Sequence, residues 1–114
     1  MAITSTQLTG TTITVPSTVY TSSSTNAITT IALCNTGAVT ITDESVNTCN
    51  VNVYLVKSGD TADVDNLIVS NLTIPAGETV FFSDEKIILD GGDEIHIKAD
   101  DANLISVTVS SLAV

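Results

Sequence analysis

The chain contains no arginine and no tryptophan, and its 114 residues include only three lysines, one histidine, two cysteines and four aromatic side chains. Each scarcity excludes something. Thirteen acids against Lys57, Lys86 and Lys98 give a formal net charge of −10. A nucleic-acid partner is thereby excluded, because a binder must supply cations in place of the counterions it displaces from phosphates. Anionic membrane surfaces are excluded on the same ground. With one histidine, any Ser-His-Asp or Cys-His arrangement must use His96. Its alternation with Ile95 and Ile97, between Glu94 and Lys98, puts it on the outer face of a strand. The nucleophile elbow, the zinc-protease helix motif, the phosphate loop and the dinucleotide fingerprint are all missing. The sequence therefore assigns no catalytic residue and no cofactor.

Two cysteines, Cys34 and Cys49, are too few for a disulfide framework and lack zinc spacing. A bridge between them would close a loop of about 15 residues, worth roughly 3 kcal/mol. Two free thiols are the alternative, favoured in a reducing cytosol. Tyr20, Tyr54, Phe81 and Phe82 are a thin stock for a glycan platform, and the two adjacent phenylalanines face opposite ways on a strand. No apolar run approaches the roughly 20 residues of a membrane span, and the start MAITSTQLTG shows neither the basic nor the apolar region of a secretory signal. A soluble protein made in the cytoplasm is the expectation.

What fills the sequence is threonine and serine, 19 and 12 residues, beside 43% hydrophobic residues. The length fits one domain with one core, spanning residues 1–114. Charge is unevenly placed: residues 1–42 carry none, and the first acid is Asp43. Such a stretch is either a Thr-rich solvated face or a contact region, since charge is depleted at interface cores. On the second reading Ile13, Val15, Val19, Tyr20 and Ile28 are the interface candidates, and residues 1–17 are an N-terminal arm or an edge strand.

Period-two alternation marks strands. It is clear in Val51, Val53 and Leu55, in Ile95 and Ile97, and in Ile105, Val107 and Val109. Reading between turn signals predicts strands at 11–15, 18–22, 27–34, 38–42, 49–57, 66–73, 79–82, 86–89, 94–99 and 104–113. Pro75-Ala76-Gly77-Glu78 and Asp90-Gly91-Gly92-Asp93 supply turns. Residues 38–49 read as an inserted hairpin with an acidic tip. The spacing predicts an all-β chain of about 8–10 short strands, an antiparallel sandwich of Ig-like or jelly-roll-like type.

Among the carboxylates, Asp60, Asp63 and Asp65 share one loop and are the set from which a calcium site could be built, although their spacing lacks the EF-hand pattern. Solvated loop acids are the plainer reading, and no metal is assigned.

Ile31-Ala32-Leu33-Cys34-Asn35-Thr36, Val51-Asn52-Val53-Tyr54-Leu55-Val56, Ile74-Pro75-Ala76-Gly77-Glu78-Thr79 and Leu89-Asp90-Gly91-Gly92-Asp93-Glu94-Ile95 follow one another in an order that resembles small virion structural proteins of tailed phages, especially those of marine cyanobacteria. The resemblance covers roughly residues 18–114, and the insertion at 38–49 departs from it. It implies a non-enzymatic β-sandwich of the phage particle, located in the virion and present in many copies. A capsid decoration or cement protein is the leading expectation, with the major capsid protein or other virion proteins as partners and a homo-oligomer, such as a trimer, as its state. A tail, neck or baseplate subunit, and a glycan or host-surface binding module, are the alternatives.

Overall fold

In the strand Cys49–Val56, Cys49, Val51 and Val53 are inward and shielded from solvent while Asn50 and Asn52 point out, so the apolar/polar alternation of the sequence becomes a pleated sheet with one dry face. The same logic builds nine strands in a computed structural model that describes residues 2–8, 15–43, 46–83, 87–101 and 104–114. They are β1 (Ala2–Gln7), β2 (Ser17–Thr21), β3 (Asn26–Asn35), β4 (Cys49–Val56), β5 (Leu67–Ile74), β6 (Thr79–Phe82), β7 (Ile87–Leu89), β8 (Glu94–Ala99) and β9 (Ile105–Ala113). The only helical element among the described residues is a single 3-10 turn, Val64–Asn66, before β5.

Two antiparallel sheets pack face to face. The first runs β1-β9-β3-β6, with β7 beside β6 along the same edge of β3; the second runs β2-β8-β4-β5. One set of partners is nested, β4 with β5, β3 with β6 and β7, β2 with β8, and β1 with β9, and rolling up adds β9 beside β3 and β8 beside β4. That is a long hairpin rolled onto itself, the jelly-roll connectivity. An Ig-like sandwich would pair neighbouring strands of the chain within a sheet, and here β1 and β2 lie in different sheets.

Ile31, Leu33, Val51, Val53, Ile74, Ile95, Ile97, Ile105, Val107 and Val109 form the heart of the core. In β3 the inward positions Ile28 and Ile31 are three residues apart, out of phase with a plain strand; a bulge between Ile28 and Thr30 resets the alternation. Both ends of the sandwich are tied by buried amides. At one end Asn35 donates from Nδ2 to the carbonyls of Asn47 (2.7 Å) and Ile74 (2.8 Å) and accepts the Gly37 N–H at Oδ1 (2.8 Å). At the other, Asn26 Nδ2 donates to Ser22 Oγ (2.9 Å) and to the Ser24 carbonyl (3.1 Å). Gly77 has φ +78°, a left-handed conformation that strains other residues, so the turn after β5 favours glycine.

The strand expected at 38–42 is absent. Residues 38–43 run as bends and irregular chain, with Val39 exposed and Ile41 96% exposed. Their alternation pairs with no described strand and covers no dry surface, and backbone groups without a ladder partner stay in water. The strand expected at 11–15 lies outside the described residues apart from Val15, which sits in a bend.

The two cysteines are free. Cys49 is in the core, whereas Cys34 alternates with Leu33 and Asn35 and so faces away from it. Burial pushes the Cys49 thiol up to about 11. Thiolate is the reactive form, so alkylation of the native protein, followed by mass spectrometry, should label Cys34 first and Cys49 only after denaturation. Equal labelling of both would contradict this packing.

Candidate functional site

The outer face of the β1-β9-β3-β6/β7 sheet is assembled by register. Gln7, Ser106, Cys34 and Thr79 form one row across the strands, and Ser5, Thr108, Ala32 and Phe81 the next. Ile3, Ser110 and Thr30 form a third, and Leu112, Ala27 and Ile88 a fourth. None of these side chains is charged. Phe81 is 64% exposed, Ile88 56%, and Ile3 and Leu112 are also open to solvent, set among small Ala, Ser and Thr side chains. Ser5 Oγ and Thr108 Oγ1 lie 3.3 Å apart and bond across two strands. A flat face of methyl and hydroxyl groups with no ionised group desolvates cheaply, because no charge has to leave water.

The described acids lie elsewhere. Asp43, Glu78, Asp100 and Asp101 are on the loops at one end of the sandwich, and Asp60, Asp63, Asp65, Asp90 and Asp93 on those at the other. The opposite sheet carries the ionised Glu94 and Lys98 on its outer face, with His96 between them.

The interface candidates of the sequence divide accordingly. Val19 and Ile28 are 5% and 4% exposed and belong to the core, so they cannot meet a partner. Tyr20 is half-buried against that core, Val15 is exposed in a bend, and Ile13 lies outside the described residues. The reason is local: within the uncharged stretch, alternate residues of β2 and β3 go inward. The face also includes residues outside the uncharged first 42, Phe81, Ile88 and Leu112 among them. A second charge-free run, 102–114, was the available signal, since it supplies β9, the partner of both β1 and β3.

The loop acids do not converge on a cation. The Asp63 side chain accepts the Asp65 N–H (2.8 Å) and Asp60 Oδ1 accepts the Thr61 N–H (3.0 Å), each serving its own turn. No group of three potential ligands able to hold a metal ion occurs among the described residues. Asp93 works similarly, accepting the backbone N–H of Ser58 and of Asp90 (both 3.0 Å), and these bonds, the one from Ser58 foremost, hold its carboxyl below the usual range.

His96 Nε2 lies 3.1 Å from Glu94 Oε1 and 3.1 Å from Thr18 Oγ1. A nucleophile-base-orienter relay uses the two different ring nitrogens, one for each partner. Here both contacts fall on one nitrogen, so the trio is a cross-strand polar cluster rather than a relay. An apolar cleft of about 270 Å³ opens between β5 and the β6/β7 edge, lined by Ile31, Val53, Leu55, Ile68, Val69, Phe82 and Ile87. Among the described residues it offers no polar side chain to orient a ligand. Tyr54 is buried and Phe82 turns into this cleft, so these aromatics and Tyr20 form no exposed ridge for a sugar. Among the described residues no helix is long and apolar enough to cross a membrane. Comparison with known proteins finds no matching family model, no matching curated protein and no matching solved structure.

Proposed function

We propose that this chain is a non-enzymatic structural subunit of a phage particle, a decoration or cement protein that docks on the head lattice through the outer face of the β1-β9-β3-β6/β7 sheet. The observation that carries the reading is the charge-free face on a chain of net charge −10. Acidic loops at both ends discourage nonspecific association, and among the described residues the uncharged face can be covered without stranding an ion. Fold alone does not choose among functions, since jelly rolls also serve lectins and cupins.

The four motifs that resemble phage virion proteins supply mostly frame, although Ala32, Cys34 and Thr79 within them lie on the face. Ile31 and Leu33 are core, Asn35 is the buried tie, Gly77 makes the turn after β5, and Gly92 (φ +90°) the turn before β8. They support the setting, and the face supplies the means of attachment.

Ala32 sits mid-face between Thr108 and Phe81 with its side chain outward. Ala32→Glu should fold normally yet bind stripped heads about 100-fold more weakly, about 2.7 kcal/mol, because an unpaired carboxylate would be desolvated. Cosedimentation with heads measures this. Equal binding by the variant, or a particle map placing the chain in the tail, neck or baseplate, would overturn the docking assignment.

A further inference from the structure

The backbone of the charge-free face is flat, but the side chains on it differ in size. Along its middle run Ala27, Thr30 and Ala32 of β3 and Thr108 and Ser110 of β9, all small. Larger apolar groups flank them. Ile88 lies beside Ala27 and Phe81 beside Ala32, both more than half exposed. Ile3 of β1 and Leu112 of β9, also exposed, stand on the other side. From strand spacing the two flanks are about 10–14 Å apart, close to the width of an α-helix with its side chains.

Carboxylates mark the two ends of this trough. Glu78 stands just before β6, where its carbonyl accepts the Asn35 N–H (2.9 Å), and Asp90 just after β7, where its carboxylate accepts from Thr25 Oγ1 (3.4 Å). Both are exposed. Thr25 and Asn35 bracket β3, a strand of 10 residues, so the acids are about 30 Å apart along the trough.

We propose that this trough seats an amphipathic α-helix of a partner protein, about 20 residues long, with small and apolar side chains on the seated face and lysine or arginine in the last turn. The inference rests on this face being a docking surface, as proposed above. Backbone pairing selects a helix over an extended segment. The floor strands β9 and β3 are paired on both sides, so an extended chain laid on them would bury its own N–H and C=O groups without partners. A helix satisfies those groups internally. Charge selects a partner over a second copy of this chain, whose trough also ends in carboxylates and would set acid against acid. A helix meets one carboxylate with the positive end of its dipole. Basic side chains in its last turn meet the other.

The probe is a roughly 20-residue peptide, acetylated and amidated, with alanine and leucine along one helical face, glutamine and serine elsewhere and lysines in the last turn. Titrated into the full chain, it should bind saturably by fluorescence anisotropy and shift the amide resonances of β3 and β9. Prolines at its centre, which break the helix, should weaken binding at least 10-fold. Phe81→Ser/Ile88→Ser should do the same, and its unfolding midpoint checks that these outward substitutions leave the fold intact. Glutamine in place of the lysines should weaken binding about fivefold at low salt. In Glu78→Gln/Asp90→Ser that difference should vanish. No saturable binding overturns the inference, as does equal binding of the proline peptide or resonance shifts confined to the β5 cleft. A chain that doubles its mass on concentration by pairing through this face overturns it too. If the peptide fails while Ala32→Glu still loses heads, the helix is wrong and the docking face stands. If the peptide binds the trough while Ala32→Glu binds heads like wild type, the head assignment fails alone.

Discussion

Replacing Asn35 with alanine should lower stability by roughly 3–4 kcal/mol, with the fold otherwise unchanged in design. Asn35 is fully buried at the end of β3. Its amide holds three chain segments at once: the loop before β4 through the Asn47 carbonyl, the end of β5 through the Ile74 carbonyl, and the Gly37 N–H. The orientation is fixed by consistency, since the nitrogen faces two carbonyls and the oxygen faces an N–H. A buried donor or acceptor left without its partner costs about 1–3 kcal/mol, and two of the three bonds are partly open to water, which keeps each near the lower end of that range and their sum at about 3–4 kcal/mol. For a domain of this size the loss corresponds to a fall in Tm of roughly 15 °C. Asn35→Asp should be worse still, because a carboxylate oxygen would replace the amide nitrogen against two carbonyl oxygens in a dry site. Thermal and urea unfolding measure both. An alanine variant melting within two or three degrees of wild type, as estimated from the same scaling, would show that Asn35 does not hold this end together.

The second large effect is expected in the core. Ile97 lies at the middle of β8, has no solvent exposure and is flanked in the ladder by Val53 of β4 and Ser17 of β2. Central strands cannot move to fill a void, since neighbours on both sides fix their register. Ile97→Ala should therefore fall in the upper half of the 2–5 kcal/mol that such truncations cost, about 4 kcal/mol. Lys98→Ala, one residue on and facing out, should change stability by no more than about 0.5 kcal/mol. Urea unfolding of the pair tests the inside-outside assignment of β8 directly. Similar losses for both would mean that the strand is turned over, because a one-residue slip exchanges its faces.

Much of the fold was legible because side-chain alternation is a local property. The strands at 49–56, 79–82, 87–89, 94–99 and 105–113 fall close to their expected places. Where the local pattern misled, a tertiary circumstance prevailed. Val39 and Ile41 alternate like a strand but have no sheet to join. The run Ala2–Gln7 carries little alternation of its own and becomes a strand because β9 supplies a partner over its whole length. Val19 and Ile28 lie in the uncharged stretch but alternate inward within β2 and β3, so they are core residues rather than contact residues.

The charge of −10 is a property of composition, and its confinement to residues 43–114 is a property of order along the chain; both are readable before any folding. The β class and the inward and outward residues of most strands follow from period-two alternation, which needs only neighbours in sequence. Strand order does not follow from it. Closure of β1 onto β9 joins residues about a hundred positions apart, and that pairing, with β9 onto β3, gathers Ile3, Ala32, Phe81, Ile88 and Leu112 onto one surface. Long-range pairing rewards the whole ladder at once and leaves no mark on any single segment. The uncharged stretch is thus visible in the sequence, whereas the uncharged face exists only once the hairpin has rolled up.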